Sequence, residues 1–232
     1  RLSLANEQNL RESPTRQKKN SASRTPDPAL ARNRIEVLAE LTKLRQIALD
    51  PALLYENYRG GAAKTRAILD LIEQTRASGE KALVFSQFTS YLDELASELA
   101  ARGIAYYTIT GSTPKKERLE RAQAFNDDDV PVFLVSLKAG GTGLNLIGAS
   151  VVIHADPWWN AAAVNQATDR AHRIGQTDVV TVYKMIAKGT IEERILSLQE
   201  RKAALADAVV GQTGATALSS LTREELMELL EG

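Results

Sequence analysis

Apolar positions along the chain change their spacing several times, and these changes predict strands that alternate with helices. Five short apolar runs bounded by polar or turn residues are typical of buried strands. Stretches with helical spacing lie between them, such as "YLDELASELAAR", which Gly103 is expected to end. The predicted strands are residues 81–88, 104–111, 130–137, 149–156 and 179–186.

The order of these elements predicts the fold class. From residue 81 onward they follow as β-α-β-α-β-β-α-β, with Thr113 at the N-cap of the second helix and Pro114 at its first position. Strands that are apolar along their whole length indicate an α/β fold, with a parallel sheet covered by helices on both faces. Ligands bind such sheets outside the carboxyl ends of the strands.

Further helices are predicted on either side of the sheet. Ile35, Leu38, Leu41, Leu44 and Leu49 recur at helical spacing before Asp50-Pro51, which stops that helix. Near the C-terminus a second apolar stripe is followed by a linker and a last helix, residues 211–232, which is expected to pack on the body or on a partner lobe. The stripe consists of Ile191, Ile195, Leu198, Leu205 and Val209, and a capping box of Thr222 and Glu225 opens the last helix.

Charge separates the first residues from the rest of the chain. The 232 residues contain 29 basic and 29 acidic side chains, but residues 1–34 hold eight basic and three acidic ones, so this segment carries +5 and the remainder −5. Three prolines between residues 11 and 28 indicate a flexible connector or an insertion. Contact with nucleic acid and a solvated tail are both open for residues 1–34. Residues 35–210 are predicted to form the main domain.

Composition limits the cellular setting. The chain has no cysteine, which excludes disulfides and thiolate metal sites and suits a reducing cytoplasm. It contains no apolar run of about 18 residues, so neither a membrane-spanning helix nor a membrane partner is expected. Because it begins with Arg1 and lacks a signal peptide, we expect a piece of a longer cytoplasmic protein.

Three strings raise the question of phosphate binding. In "QATDRAHRIGQ", Arg170 and Arg173 lie three positions apart and share one helical face, within reach of a single anion. "SLKAGGTGLNL" is either an anion nest or a tight turn after a strand. "RGGAAKTRAIL" resembles a P-loop, but Ala63 replaces the glycine that must precede Lys64, and no apolar strand comes before it.

Several other candidates have ordinary interpretations. Asp93 and Glu94 are expected on the exposed face of an amphipathic helix, and the two histidines lie too far apart for a metal site, so no metal ligand set is predicted. Trp158 and Trp159 are adjacent in a loop, where both cannot easily point inward. One of them is expected to face a groove or another domain.

Six strings, taken in order, resemble a known family. They are "LRQIALDPALL", "KALVFSQFTSYLDEL", "ITGSTPKKER", "VSLKAGGTGLNLIGAS", "DPWWNAAAVNQATDRAHRIGQ" and "IEERILSLQERKAAL". Together they resemble the second RecA-like lobe of Swi/Snf-type DNA translocases of helicase superfamily two. They look like a bacterial member of that family. The resemblance implies a P-loop NTPase fold whose second lobe lacks its own P-loop and carries additional C-terminal helices.

The resemblance also implies a role for the arginine pair. In this family ATP lies between two lobes, and the first lobe supplies the P-loop lysine and the acidic box that holds Mg²⁺. The second lobe supplies arginine fingers, which implies this role for Arg170 and Arg173, with Gln166, Asp169 and Gly143 close to the nucleotide. The implied partners are the N-terminal lobe of the same protein, double-stranded DNA and, as a further candidate, a DNA-bound protein that is remodelled. The implied location is the cytoplasm, with the nucleoid.

The remaining motifs match DNA-contacting positions of the family. The implied contacts to the DNA backbone come from Ser86, Gln87, Gly111, Lys138, Gly140, Gly141, Thr142 and Trp159.

Two alternatives stay open beside the translocase: a binding module that has lost catalysis, and a helicase that separates strands.

Overall fold

The computed structural model describes residues 28–140, 144–158, 179–208 and 222–230. Its strands are β1 (Ala82–Ser86), β2 (Tyr106–Ile109), β3 (Val132–Ser136), β4 (Val151–His154) and β5 (Thr181–Lys184). Its helices are α1 (Pro28–Leu49), α2 (Ala63–Ala77), α3 (Thr89–Ala101), α4 (Lys115–Asp127), α5 (Leu137–Gly140), α6 (Ile191–Ala208) and α7 (Arg223–Leu230), and a 3-10 turn spans Pro51–Leu53.

The five strands form one parallel sheet in the order β2-β3-β1-β4-β5. All five lie within the runs that the sequence predicted, so the α/β fold with a parallel sheet is confirmed. The register places Ser86 of β1 opposite Ser136 of β3, and Phe85 opposite His154 of β4. The carboxyl ends of the three central strands are therefore level with one another.

Helices cover both faces of the sheet. Alternate residues of β1 point to opposite sides: Ala82 and Val84 belong to one apolar cluster, which α2 and α3 complete. Leu83 and Phe85 belong to a second cluster, to which α4 contributes Phe125. Burial on both faces explains why the central strands β1, β3 and β4 are apolar at nearly every position.

The edge strand β5 differs from the prediction. Its four residues, Thr181–Lys184, are all exposed, although the apolar run around them predicted a strand as buried as the other four. β5 pairs only with β4 within the described part of the chain, so it is an edge strand. The run of β-branched residues thus reflects strand propensity here and not burial.

Helix α1 begins earlier than predicted. It starts at Pro28, so residues 28–34 of the segment expected to be a connector are helical. It ends at Leu49 as expected, where the Asp50 side chain caps the following turn at the amide of Ala52. Only part of its predicted stripe is buried: Leu41 and Leu49 are covered, whereas Ile35 is 68% exposed.

The C-terminal helices pack on α1 and form a third apolar cluster. The predicted capping box is present, because Glu225 N donates to Thr222 Oγ1 and Thr222 N donates to Glu225 Oε2. None of the described helices combines the length and the apolarity needed to cross a membrane. The cluster consists of Leu41 from α1, Ile191, Ile195 and Leu198 from α6, and Leu226 and Leu229 from α7.

The start of α4 also differs from the prediction. Pro114 is the N-cap and Lys115 the first helical residue, so each position is shifted by one from the expected Thr113 cap. The Thr113 hydroxyl instead accepts a hydrogen bond from the amide of Thr110 at 3.0 Å. The Thr113 side chain therefore stabilises the loop between β2 and α4 and does not cap the helix.

Candidate functional site at the carboxyl edge of the sheet

The ends of β1 and β4 meet at a buried carboxylate, Asp156, which is 1% exposed. Oδ1 of Asp156 accepts from the Ser86 hydroxyl at 2.6 Å and from the backbone amide of Gln87 at 3.2 Å. Ser86 is fully buried, and its oxygen also accepts from the amide of Phe88. One carboxylate therefore fixes the backbone that leaves β1.

Arg45 of α1 completes this junction from the other side. Its Nη2 donates to the carbonyl of Pro157 at 2.8 Å and lies 3.5 Å from Oδ2 of Asp156. Its guanidinium carbon lies 5.3 Å from the ring centre of Phe88. Burial lowers the pKa of Arg45 to about 10, so the side chain stays charged at neutral pH. Burial also raises the pKa of Asp156, against which Arg45 and the hydrogen bonds from Ser86 and Gln87 act.

A second buried ion pair lies beside the first. Lys64 of α2 pairs with Glu192 of α6 and donates to the carbonyl of Ala155 at 3.1 Å. Oε2 of Glu192 also accepts from the amide of Ala187 at 2.8 Å. Burial lowers the pKa of Lys64, and the attraction of Glu192 opposes that shift. Because this lysine lies inside a helix with its ammonium bonded to Glu192, the P-loop-like string does not form a phosphate cradle.

A pair of carboxyl groups borders these ion pairs. Oδ2 of Asp50 accepts from the hydroxyl of Thr65 at 3.2 Å, and that hydroxyl lies 3.2 Å from the Tyr91 hydroxyl. Glu94 of α3 is half-buried beside Asp50, so the prediction that it lies on an exposed face is wrong. Burial, together with the Asp50 carboxylate, raises the pKa of Glu94 to about 8. Asp93 is exposed as predicted.

The glycine-rich string after β3 opens with a helical turn. Residues Leu137–Gly140 form α5, and the amide of Ala139 donates to the Ser136 hydroxyl at 3.4 Å. The backbones of Lys138 and Gly140 lie in this turn, whereas the side chain of Lys138 and all of residues 141–143 lie outside the described part of the chain. The choice between an anion nest and a tight turn stays open for Gly141, Thr142 and Gly143.

Gly111 lies in an exposed loop that Arg118 holds in place. The Arg118 side chain donates from Nη2 to the carbonyl of Gly111 at 2.8 Å and from Nε to that of Thr113 at 2.6 Å. A Cβ at Gly111 would meet no atom within 4 Å. The backbone of this loop is thus accessible, and the prediction that Gly111 contacts DNA is compatible with its position.

Ser86, Gln87 and the two tryptophans lie at or shortly after the ends of β1 and β4. Nε2 of Gln87 is shielded from solvent and has no hydrogen-bond partner in the described part of the chain. Ser86 is buried with its hydroxyl bonded to Asp156, so it holds the strand end. Trp158 packs against the α4 side of the sheet, which is the core interpretation for one tryptophan. The predicted site residues Trp159, Gln166, Asp169, Arg170 and Arg173 lie outside the described residues.

His154 has a structural role. It is buried at the end of β4 and stacks on Phe85 with 5.5 Å between the ring centres. Burial, helped by the positive charge of Lys184, lowers the pKa of His154 to about 4, so its imidazole is neutral at physiological pH. This agrees with the expectation of a packed histidine.

Sequence reasoning missed the four charged residues of the two ion pairs. A signal was available, since Arg45 lies four positions after Leu41 and four before Leu49, on the buried stripe of α1. Lys64 likewise precedes Ile68 by four positions on the buried face of α2. A charged residue at an apolar stripe position indicates a buried partner, because an unpaired charge is rarely buried.

Comparison with known proteins agrees with this fold. Residues 63–175 match the model of the helicase conserved C-terminal domain. The chain is 41% identical over 199 residues to an uncharacterized ATP-dependent helicase of Mycoplasma pneumoniae, covering 84% of this chain and 19% of the relative. It is 40% identical over 201 residues to the putative ATP-dependent helicase/translocase YwqA of Bacillus subtilis, covering 83% and 22%. The chain thus spans about a fifth of the length of the curated relatives it matches.

Two solved structures are similar over most of the chain. The C-terminal domain of the Sulfolobus solfataricus SWI2/SNF2 ATPase is 29% identical with a TM-score of 0.67, covering 86% of this chain and 83% of that one. The SWI2/SNF2 ATPase core of the same organism, in complex with dsDNA, is 31% identical with a TM-score of 0.66, covering 86% and 42%.

These findings define the class first: the chain carries a RecA-like helicase C-terminal domain. More particularly, it is a homologue of the C-terminal domains of SWI2/SNF2 ATPases, and it has bacterial relatives among the ATP-dependent helicases.

Proposed function

We propose that this chain is the second lobe of an ATP-dependent translocase that moves along double-stranded DNA. The observation that carries the proposal is the likeness, over 86% of the chain, to a SWI2/SNF2 ATPase core solved in complex with dsDNA. ATP and Mg²⁺ would be held mainly by a first lobe of the same protein. The commitment of Lys64 to Glu192 supports this, because the P-loop-like string cannot hold the phosphates itself.

Arg170 and Arg173 are the proposed arginine fingers, with Gln166, Asp169 and Gly143 close to the nucleotide. Phosphoryl transfer spreads negative charge over the transferred group, and a cation from the facing lobe stabilises that charge. A finger of this kind contributes about 10³ to 10⁵ in rate. Because the finger acts from the opposite lobe, hydrolysis would require closure of the two lobes.

The DNA backbone is the proposed ligand of the loops at the carboxyl edge. Gln87 and Gly111 follow β1 and β2 at this edge, where ligands of such sheets bind. Lys138 and Thr142 belong to the glycine-rich string after β3, and Trp159 follows β4. The further proposed contacts are Gly140 and Gly141, whereas the burial of Ser86 limits its part to holding the strand end.

Contacts of this kind follow phosphates and do not read bases. Binding should therefore tolerate many sequences and weaken steeply as salt is raised. The proposed location is with the DNA in the cytoplasm, and a DNA-bound protein is the proposed object of remodelling.

The test uses a protein with both lobes in which this chain is the second. We expect its ATP hydrolysis to be stimulated by duplex DNA of arbitrary sequence, without displacement of a fluorescent strand from a forked duplex. Displacement of that strand would favour the helicase alternative. Binding of duplex DNA with no hydrolysis at all would favour the binding-module alternative and contradict the proposal.

A further inference from the structure

Two segments that leave the sheet are held by a single charged pair. The amide of Gln87, the first residue after β1, donates to Oδ1 of Asp156. The carbonyl of Pro157, on the segment that follows β4, accepts from Nη2 of Arg45, which also faces Oδ2 of Asp156. Movement of either segment therefore disturbs hydrogen bonds to the same two side chains.

These two segments lead to different proposed ligands. The first carries Gln87, a proposed DNA contact, and the second continues along the chain to Trp159, Arg170 and Arg173. We propose that Asp156, together with Arg45, is a positioning residue that couples DNA contact at the end of β1 to the placement of the finger-bearing segment after β4. This inference rests on the proposed function and assigns Asp156 no contact with ATP or DNA.

The burial of Arg45 and Asp156 should make the connection between the two segments rigid. The side chains of Arg45 and Asp156 are 2% and 0% exposed, so water cannot readily replace the partner when one of them moves. Leaving either charge buried and unpaired would be strongly unfavourable, because a buried ion without its partner keeps the cost of desolvation. The two segments should therefore move together, because separating them breaks the pair.

The neighbouring ion pair allows the coupling role to be separated from simple stabilisation. Lys64 and Glu192 are similarly buried but join α2 to α6, and they bond to the backbone at Ala155 and Ala187. None of these bonds involves Gln87 or Pro157, and Glu192 reaches the segment after β4 through Lys64, which bonds to the Ala155 carbonyl. Replacing Glu192 by glutamine therefore removes a negative charge from the same edge while the bonds to Gln87 and Pro157 stay in place.

The experiment compares Asp156→Asn with Glu192→Gln in the two-lobe protein. Both are near-isosteric, and we expect both to lower the unfolding midpoint in urea. Asp156→Asn should lower the stimulation of hydrolysis by duplex DNA about 2- to 30-fold, the range of measured coupling changes. The Kd for DNA should change less than about twofold, and this split between binding and stimulated hydrolysis is one that destabilisation alone would not produce. Glu192→Gln should keep the wild-type stimulation.

Arg45→Lys is the second variant, and it decides the matter if Asp156→Asn does not fold. Lysine keeps the buried positive charge but cannot reach both Pro157 and Asp156, so we expect a smaller loss of stimulation with the charge still balanced. Equal stimulation in wild type and Arg45→Lys, or equal losses in Asp156→Asn and Glu192→Gln, would overturn the coupling role while leaving the proposed function intact. A wild-type protein without DNA-stimulated hydrolysis would instead overturn the proposed function itself.

Discussion

Paired charged side chains keep contact with water at the amino edge of the sheet but are buried at its carboxyl edge. At the amino edge, Lys81 donates to the carbonyl of Phe125 at 2.6 Å and to that of Asp128, and its ammonium lies 3.8 Å from the Asp128 carboxylate. Both side chains keep contact with water, at 17% and 34% exposure. At the carboxyl edge, Arg45 and Asp156 are paired with almost no exposure.

This difference in exposure indicates that the charged pairs at the two edges have different roles. A partly exposed lysine that bonds to carbonyls closes loops at little desolvation cost. Fully buried pairs gain little net stability over apolar side chains of the same size, because removing both charges from water is expensive. We therefore attribute the pairs at the carboxyl edge to the orientation of the segments that leave the strands there, where ligands of parallel sheets bind.

Removing one charge from each edge should give the largest contrast. Arg45→Met leaves the Asp156 carboxylate buried without its cation, so we expect a loss of about 3–5 kcal/mol in the free energy of unfolding. Lys81→Met leaves Asp128 in contact with water and should cost only about 1–2 kcal/mol. Urea unfolding of the chain followed by circular dichroism measures both values, and equal losses would remove the distinction between the edges.

Removing both members of a pair should sharpen the contrast. Lys64→Met alone leaves the Glu192 carboxylate buried without its cation, at a cost of about 3 kcal/mol or more in the free energy of unfolding. Combined with Glu192→Leu, it should cost only about 1–2 kcal/mol, because neither charge of this pair remains and the lost bonds to the Ala155 carbonyl and the Ala187 amide account for most of the rest. A double variant as unstable as the sum of the single ones would show that the two residues do not act as a pair.

The last contrast concerns Glu94, an acid for which no cation partner is seen among the described residues. Its pKa in the folded protein, about 8, lies above the ordinary value of 4.5, so wild type loses stability as the pH rises from about 4.5 to about 8. Glu94→Gln should raise the thermal midpoint near pH 9 and change it little near pH 4, where both side chains are neutral. Differential scanning fluorimetry across this pH range measures the difference, and an increase of equal size at every pH would contradict the assigned pKa.

The sequence predicted the fold better than the burial of individual residues. The buried strands β1, β3 and β4 and the capping box at Thr222 follow from local patterns, which the chain carries in a few consecutive residues. The exposure of β5 and the burial of Glu94 could not be predicted, because they depend on which elements lie beside them.

The site was predictable only where a resemblance covered it. Gln87 and Gly111 were proposed from family motifs, and the structure places both at the carboxyl edge. The contact between Arg45 and Asp156 joins residues 111 positions apart, and no local pattern pairs them. Their spacing indicated only that a charge lies on an apolar stripe.

We propose that this lobe supplies arginine fingers to ATP held by a first lobe. The most direct measurement is ATP hydrolysis by the two-lobe protein with saturating duplex DNA, comparing wild type with Arg173→Ala and with Arg66→Ala, which changes an exposed arginine of α2. We expect Arg173→Ala to lose about 10³-fold in rate with a Kd for DNA within a few fold of wild type, and Arg66→Ala to behave as wild type. Hydrolysis by Arg173→Ala at the wild-type rate, or a parallel loss of DNA binding, would contradict the claim.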